Sequence, residues 1–310
     1  MSNYQLSTSV AFLIFNRPDT TVRVFEEIRR VRPSKLLVVA DGPRADRPGE
    51  SDKCQAVRAV IDTVDWPCEV LKNYSEVNLG CKMRVSSGLD WVFEQVEEAI
   101  ILEDDCLPDQ SFFPFCDELL ERYRDDERVI MISGDNFQDG NWTTEESYYF
   151  SRYTHIWGWA SWRRAWRNYD VEMKEWPIQK KNGLLKKVFP DSIISRYRWK
   201  RIFDSVYDGS IDTWDYQWLL ACWKQGGLSC LPKSNLISNI GFGPEATHTS
   251  STESGGVARM TVVPIVFPLR HVGNVERAIL PDLFTETKIY GSNYFCLIRS
   301  IIGRVVRLSF

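Results

Sequence analysis

Short apolar runs alternate with amphipathic stretches along the first 135 residues. The runs have the length and composition of buried strands, and the stretches between them have helical hydrophobic spacing. The predicted strands are Ser9–Phe15, Lys35–Ala40, 68–73, 99–102 and 128–133, and the predicted helices lie near 20–31, 51–64, 83–96 and 111–124. Such alternation is typical of a mostly parallel sheet covered by helices on both faces. The sequence therefore predicts an α/β fold.

Polar residues follow three of the predicted strands. Arg17 comes shortly after the first strand, Asp41 directly after the second, and the run Glu103-Asp104-Asp105 directly after the fourth. Ligands of parallel sheets bind beyond the carboxyl ends of the strands, so one crevice can collect all of these side chains. Each feature also has a structural explanation: Asp41-Gly42-Pro43 is a turn signal, and Arg17 precedes a proline at a helix start.

Three adjacent carboxylates repel one another unless a cation or fixed donors neutralise them. A ligand set made only of oxygens suits Mg²⁺ or Mn²⁺, which take one or two carboxylates and complete their shell with substrate phosphates. The acidic run therefore predicts a divalent cation and a nucleoside diphosphate. A solvated turn is the structural alternative.

Aromatic residues dominate the chain after about residue 133. The residues Trp157, Trp159, Trp162 and Trp166 have near-helical spacing, which favours a core position over a sugar-binding platform. Neither a low-complexity linker nor an internal repeat separates the two halves. We expect one compact unit with a nucleotide-type half (1–135), an acceptor half (136–270) and a C-terminal tail (271–310).

Composition excludes several other classes of protein. A net charge of −4 leaves no basic footprint for nucleic acid. Phosphate-loop, dinucleotide and hydrolase-elbow motifs are absent from the sequence, and three histidines without helical pairing argue against a zinc hydrolase. The eight cysteines form no C-x-x-C pair, and the first residues do not resemble a signal peptide. We therefore expect a cytoplasmic protein.

The C-terminal residues 292–310 have an apolar face and a cationic face when wound as a helix. This pattern is typical of a helix that lies at a membrane interface, which would place the protein peripherally at the inner membrane face. Packing of the apolar face on the protein's own core explains the pattern equally well. Both interpretations stay open at the level of sequence.

A strand, an acidic triplet and a helix in this order resemble the metal-binding signature of GT-A glycosyltransferases, which have a Rossmann-like sheet. The likeness is to the N-acetylglucosaminyltransferase I family of inverting enzymes, whose triplet is also Glu-Asp-Asp. It extends from about Val10 to His248 and includes "FNRP", "ADG", "ILEDD", "GWASWRRAW", "TWDYQW" and "LISNIGFGPEATHT". The last of these resembles the loop that covers the donor in that family, and it lies in a Gly- and Ser-rich segment at about 238–256.

The resemblance implies roles for the strand-end residues. Asp105 would coordinate the metal ion, and His248 would be a further metal ligand or a structural histidine. Asp104 and Glu103 would reach hydroxyl groups of the donor sugar and the ribose. Arg17 and Asp41 would hold the nucleotide.

The same resemblance identifies the Trp214-Asp215 pair with the catalytic carboxylate of inverting enzymes. Asp215 would accept the proton of the acceptor hydroxyl, and Trp214 would contact the donor. The family often has a second acid after this aspartate, whereas Tyr216 and Gln217 follow here. An acid among aromatic residues costs free energy unless it is used or paired, which also favours a function for Asp215.

These implications predict a metal-dependent inverting glycosyltransferase. It would move N-acetylglucosamine or another hexose from a UDP-sugar to a hydroxyl group of a glycan or lipid-linked acceptor. Two alternatives remain: a non-catalytic carbohydrate-binding or host-interaction protein on the same fold, and a sugar nucleotidylyltransferase. The latter needs a Gly-rich, basic loop after the first strand, and "FNRPDTT" is neither.

Overall fold

The computed structural model describes residues 5–241 and 260–291 of the 310-residue chain. The strands in these residues are β1 (Val10–Ile14), β2 (Lys35–Ala40), β3 (Glu69–Tyr74), β4 (Glu98–Glu103), β5 (Cys106–Pro108), β6 (Val129–Ser133), β7 (Tyr148–Ser151), β8 (Trp159–Trp162), β9 (Leu228–Pro232) and β10 (Ile237–Asn239). The helices are α1 (Pro18–Val31), α2 (Glu50–Ile61), α3 (Gly80–Gln95), α4 (Phe112–Arg122), α5 (Arg163–Trp166), α6 (Trp176–Lys181), α7 (Leu184–Val188), α8 (Ile193–Tyr207), α9 (Asp215–Gln225) and α10 (Ile279–Phe284), followed by a π-helical turn (Thr285–Ile289).

One large sheet organises the described part of the chain. Eight strands lie in the order β3-β2-β1-β4-β8-β6-β9-β7, and β5 pairs with β10 separately. Strands β3, β2, β1, β4, β6 and β9 run in one direction, whereas β8 and β7 are antiparallel to their neighbours. The prediction of a mostly parallel α/β sheet is confirmed, as are the five strands and four helices predicted in the first 135 residues.

The tryptophan-rich segment is mostly a strand, although its tryptophans have near-helical spacing. Trp159–Trp162 is strand β8, and only the single turn α5 follows it. Ala160 pairs with Ile100 of β4 on one side and with Ile132 of β6 on the other. A strand with partners on both edges satisfies its backbone in the sheet, and its large side chains pack on both faces, so tertiary pairing overrides the helical period.

Helices cover both faces of the sheet because alternate side chains of each strand point to opposite sides. Val10, Phe12 and Ile14 of β1 pack with α1, α2 and α4, whereas Ala11 and Leu13 pack on the other face with α3, α5 and α9. A third apolar cluster lies among α6 to α9. The core position predicted for the tryptophans is confirmed for Trp159, Trp162 and Trp166, which are all buried.

The carboxyl ends of β2, β1 and β4 lie at one edge of the sheet. Because β8 is antiparallel to β4, the residues that precede β8 reach the same edge. Strands from before and after residue 135 belong to the same sheet, and the assignment of separate roles to 1–135, 136–270 and 271–310 stays a prediction.

None of the helices in residues 5–241 and 260–291 combines the length and the hydropathy that a membrane-spanning helix needs. The membrane prediction made for the tail concerns 292–310, which lie outside the described residues.

Candidate functional site

A pocket of about 350 Å³ opens at the carboxyl edge of the sheet. Its walls come from the segments that follow β1, β2 and β4, from the start of α3, from the segment before β8 and from the start of α9. The residues of the sequence-based hypothesis that line it are Arg17, Asp41, Glu103, Asp104, Asp105, Trp214 and Asp215. The structure therefore brings these seven together, whereas His248 lies outside the described residues.

The acidic triplet is positioned by β4 and by the chain after β1. Glu103 is the last residue of β4, and the Oδ2 atom of Asp104 accepts a hydrogen bond from the backbone N–H of Phe15 at 3.0 Å. Asp105 forms an ion pair with Arg17, with 2.8 Å between Oδ2 and Nη1. Burial, and next the charge of Asp105, raise the pKa of both Glu103 and Asp104 well above the ordinary range.

These carboxylates fit a hard divalent cation by the chemistry of their donor atoms. They offer only oxygen, and a cation would relieve the repulsion that raises the pKa of Glu103 and Asp104. Within residues 5–241 and 260–291, however, no three His, Cys, Asp or Glu side chains form a ready-made metal cage. A site of this kind would need substrate oxygens to complete it, which is the usual arrangement for Mg²⁺.

The chain after β10 lies directly on the Arg17–Asp105 pair. The backbone N–H of Ile240 donates to the carbonyl of Asp105 at 2.8 Å. A Cβ atom at Gly241 would lie 2.1 Å from Oδ2 of Asp105 and 2.7 Å from Nη1 of Arg17, so a side chain there would displace this ion pair. The segment predicted to cover the donor therefore begins at this ion pair, and its continuation, 242–259, lies outside the described residues.

Asp41 occupies the pocket wall but has its acceptor capacity filled. Its Oδ1 accepts from the N–H groups of Gly42 and Leu79, both at 2.9 Å, and its Oδ2 accepts from Asn78 Nδ2 at 3.0 Å and Gly80 N at 3.1 Å. A carboxylate has about four such sites. Burial raises the pKa of Asp41, and the backbone donors oppose this. The side chain holds the start of α3, and a bond to a nucleotide would displace one of these four donors.

Sequence reasoning missed the contacts of Glu50, which join the chain after β1 to the chain after β2. The buried side chain of Glu50 accepts from Asn16 Nδ2 at 2.8 Å and from the Arg44 N–H at 2.6 Å, and it also pairs with the Arg44 guanidinium. These bonds, Arg44 foremost, lower the pKa of Glu50 to about 2. Arg44 lies over the ring of Phe15, with 5.6 Å between its Cζ atom and the centroid. Nothing in the sequence indicates that Glu50 binds both Asn16 and Arg44.

Asp215 is the first residue of α9, where the helix dipole stabilises a negative charge. The Thr213 hydroxyl donates to Oδ1 of Asp215, and the Tyr169 hydroxyl donates to the Trp214 carbonyl at 3.2 Å. The ring of Trp214 is buried and stacks on Trp159. The charge of Asp215 contributes to the raised pKa of Glu103, which agrees with a shared pocket.

Trp157 lines the pocket and is half-buried, unlike the three tryptophans that follow it. Its backbone N–H donates to Oδ2 of the buried Asp135 at 2.9 Å. The spacing of the tryptophans does not distinguish Trp157 from the buried Trp159, Trp162 and Trp166. What distinguishes it is its position before β8, and that strand is not evident from the sequence.

His155 lies two residues before Trp157, and burial lowers its pKa to about 3. In an unfolded chain the pKa of the imidazole is about 6.5. Because the folded state holds the neutral ring, its stabilising effect is complete above that pH and is lost as the pH falls from there toward 3. We expect the free energy of unfolding to fall by about 2 kcal/mol between pH 7.5 and pH 5 because of His155.

Urea unfolding at pH 7.5 and pH 5 measures this effect. His155→Phe keeps a ring beside Phe137, whose centroid lies 4.3 Å away, and removes the titrating group. On acidification, the free energy of unfolding of the variant should fall by about 2 kcal/mol less than that of the wild type. An equal loss in both proteins would show that His155 is not the titrating group.

No protein-family model matches the chain, and no curated protein matches it. Among solved structures, the 4-diphosphocytidyl-2C-methyl-D-erythritol synthase of Anaerococcus prevotii has 8% identity and a TM-score of 0.33, over 52% of this chain and 73% of that chain. UDP-glucose pyrophosphorylase in complex with UDP-glucose has 7% identity and a TM-score of 0.39, over 76% of this chain and 94% of that chain.

Both of these proteins are, by their names, enzymes of nucleotide or nucleotide-sugar chemistry. At TM-scores below 0.5 neither likeness carries an argument about the reaction of this chain. The comparisons give no specific support to the N-acetylglucosaminyltransferase I family.

Proposed function

We propose that this protein is an inverting glycosyltransferase that moves a hexose from a nucleoside diphosphate sugar, with UDP as the nucleotide, to a hydroxyl group of a glycan or lipid-linked acceptor. The observation that carries the proposal is the position of Asp215. A carboxylate at a helix N-terminus faces the same pocket as the acids at the end of β4 and the Arg17 guanidinium. A sugar transfer needs both parts, a base for the acceptor and charges that hold the diphosphate.

In this proposal Asp215 accepts the proton of the acceptor hydroxyl as its oxygen bonds to the anomeric carbon. The bond between that carbon and the diphosphate oxygen breaks, and its electron pair leaves with the nucleotide. Asp105, with Glu103 and Asp104 beside it, would hold Mg²⁺ or Mn²⁺, which neutralises charge on a leaving diphosphate. Arg17 would donate to phosphate oxygens from its position next to Asp105. The stacked Trp214 fixes the backbone from which Asp215 projects.

Nucleotidylyl transfer fits the charges of the pocket less well. That reaction transfers the nucleoside monophosphate group of a nucleoside triphosphate to a sugar phosphate and releases pyrophosphate. Both substrates are strongly anionic, and the attacking phosphate needs no base. The pocket is lined by five carboxylates, those of Asp41, Glu103, Asp104, Asp105 and Asp215. Of its three arginines, Arg44 pairs with Glu50 and Arg84 donates to the Asn73 carbonyl at 2.6 Å, which leaves Arg17 as the guanidinium beside the acidic triplet.

A donor screen tests the proposal. Thermal unfolding is measured with UDP-glucose, UDP-galactose, UDP-N-acetylglucosamine and GDP-mannose, each with MnCl₂ and with EDTA, because a ligand of the folded state raises the melting temperature. We expect a rise with a UDP-sugar that depends on the metal, and release of UDP on addition of acceptor glycans.

Three results would contradict it. Pyrophosphate released from UTP and a hexose 1-phosphate would establish nucleotidylyl transfer instead. Binding of a UDP-sugar that needs no metal, without turnover on any acceptor, would favour a non-catalytic carbohydrate-binding protein. Absence of any binding would reject a nucleotide-sugar site.

A further inference from the structure

Trp157 is an aromatic side chain of the pocket wall that the proposed reaction does not yet use. Its side chain is half-buried and lines the pocket, whereas Trp159, Trp162 and Trp166 are 1–3% exposed in the core. Large apolar rings at the surface of a ligand pocket commonly supply contact area for the ligand. The position therefore calls for a ligand group with an apolar face.

Three features position Trp157: a hydrogen bond to its backbone, a contact of its ring and close packing at the next residue. Asp135, which is 0% exposed, accepts the Trp157 N–H through Oδ2 at 2.9 Å. The ring of Phe137 meets the Trp157 ring edge-on, with 5.2 Å between centroids. The next residue, Gly158, has φ +63°, and a Cβ atom there would lie 2.5 Å from Cδ1 of Ile237. Asp135 and Phe137 are thus positioning residues for the indole, and its placement is built into the fold.

The strand order places Trp157 at one end of the row of site residues. Along the edge of the sheet, β2 carries Asp41, β1 leads to Arg17, β4 leads to the triplet that ends at Asp105, and β8 follows Trp157. Three strand spacings of about 4.8 Å separate β2 from β8, which is about 14 Å. A nucleotide sugar lying along this row, with its base at β2 and β1 and its diphosphate near Asp105, brings its sugar to β8.

We propose that Trp157 is the platform on which the pyranose ring of the donor lies. The C–H groups on one face of a hexose are apolar, and packing them on the indole removes both surfaces from water. This inference rests on the proposed function, and it assigns the hexose subsite to the β8 end of the pocket. A change at Trp157 should therefore alter the affinity for the sugar nucleotide without altering the affinity for the nucleotide alone.

Calorimetric titration of the full chain with UDP and with UDP-glucose, UDP-galactose and UDP-N-acetylglucosamine, all with MnCl₂, tests the platform. Trp157→Ala should weaken the preferred UDP-hexose about tenfold and leave UDP unchanged, since about 1.4 kcal/mol of aromatic contact is lost. Trp157→Phe keeps an aromatic face and should stay within about threefold of the wild type. Trp142→Ala is the matched control, because Trp142 is half-buried against Tyr149 and does not line the pocket.

Unchanged UDP binding by Trp157→Ala also shows that this variant is folded; should it not fold, Trp157→Leu replaces it. Equal weakening of UDP and UDP-hexose would place the indole at the nucleotide and overturn the platform. Unchanged affinity for both would overturn it as well, while the proposed function would stand on the wild-type binding. Failure of the wild type to bind any UDP ligand would reject the proposed function, and the platform with it.

Discussion

Asp215→Asn is expected to lower kcat by about two to four orders of magnitude, with little change in the dissociation constant of the donor. The amide keeps the size of the carboxylate and its place at the start of α9, but it cannot accept the proton of the acceptor hydroxyl. The loss is therefore confined to the transition state and appears in kcat. Initial rates of UDP release and calorimetric donor binding measure the two quantities separately.

Asp212→Asn is the control for this variant, because Asp212 is exposed three residues earlier and does not line the pocket. It should keep the wild-type rate. NMR of the product adds an independent check, since direct attack with Asp215 as the base inverts the anomeric centre. A product that retains the donor's configuration, or a near-normal kcat in Asp215→Asn, would refute the role of this carboxylate.

Asp105→Ala is expected to reduce transfer at least about a hundredfold and to remove the metal-dependent part of UDP binding. The carboxylate lies directly after β4 and next to Glu103 and Asp104, where burial and like charge already raise the pKa of its neighbours. A divalent cation held there would lose its principal oxygen ligand. Calorimetric titration of UDP in MnCl₂ and in EDTA should give two different affinities for the wild type and one for the variant.

Asp125→Ala removes an exposed acid outside the pocket and should behave as the wild type in both buffers. Thermal unfolding of Asp105→Ala without ligand checks that its fold is intact. Full transfer activity in this variant, or in the wild type with EDTA, would end the metal hypothesis.

The fold of the first 135 residues could be predicted because local patterns decide it. Strands β1, β2 and β4 are short apolar runs, and the helices between the strands are amphipathic, so local patterns identify them. The same logic located most of the pocket, since the ends of parallel strands share an edge. The strand Trp159–Trp162 could not be predicted in this way, because β8 is a strand only through its pairing with both β4 and β6.

Individual side-chain roles were less accessible to sequence. Asp41 looks like a ligand-binding acid, yet four local donors take up its oxygens. The Asn16–Glu50 hydrogen bond and the Asp135 contact with Trp157 join residues that are far apart in the chain, and hydrophobic periodicity does not predict such contacts. Whether His248 binds a metal depends on residues that the structure does not describe.

The place of β8 between β4 and β6 has a consequence for the synthesis of the chain. Both neighbours leave the ribosome before β8 does, so β4 has one open edge until residue 162 has emerged. A polypeptide cut after residue 135 would keep that open edge permanently, and β6 would lack both of its partners, β8 and β9. Unpaired edges of apolar strands recruit other chains and aggregate. We therefore expect that residues 1–135 do not fold as an independent unit and that they aggregate when expressed alone.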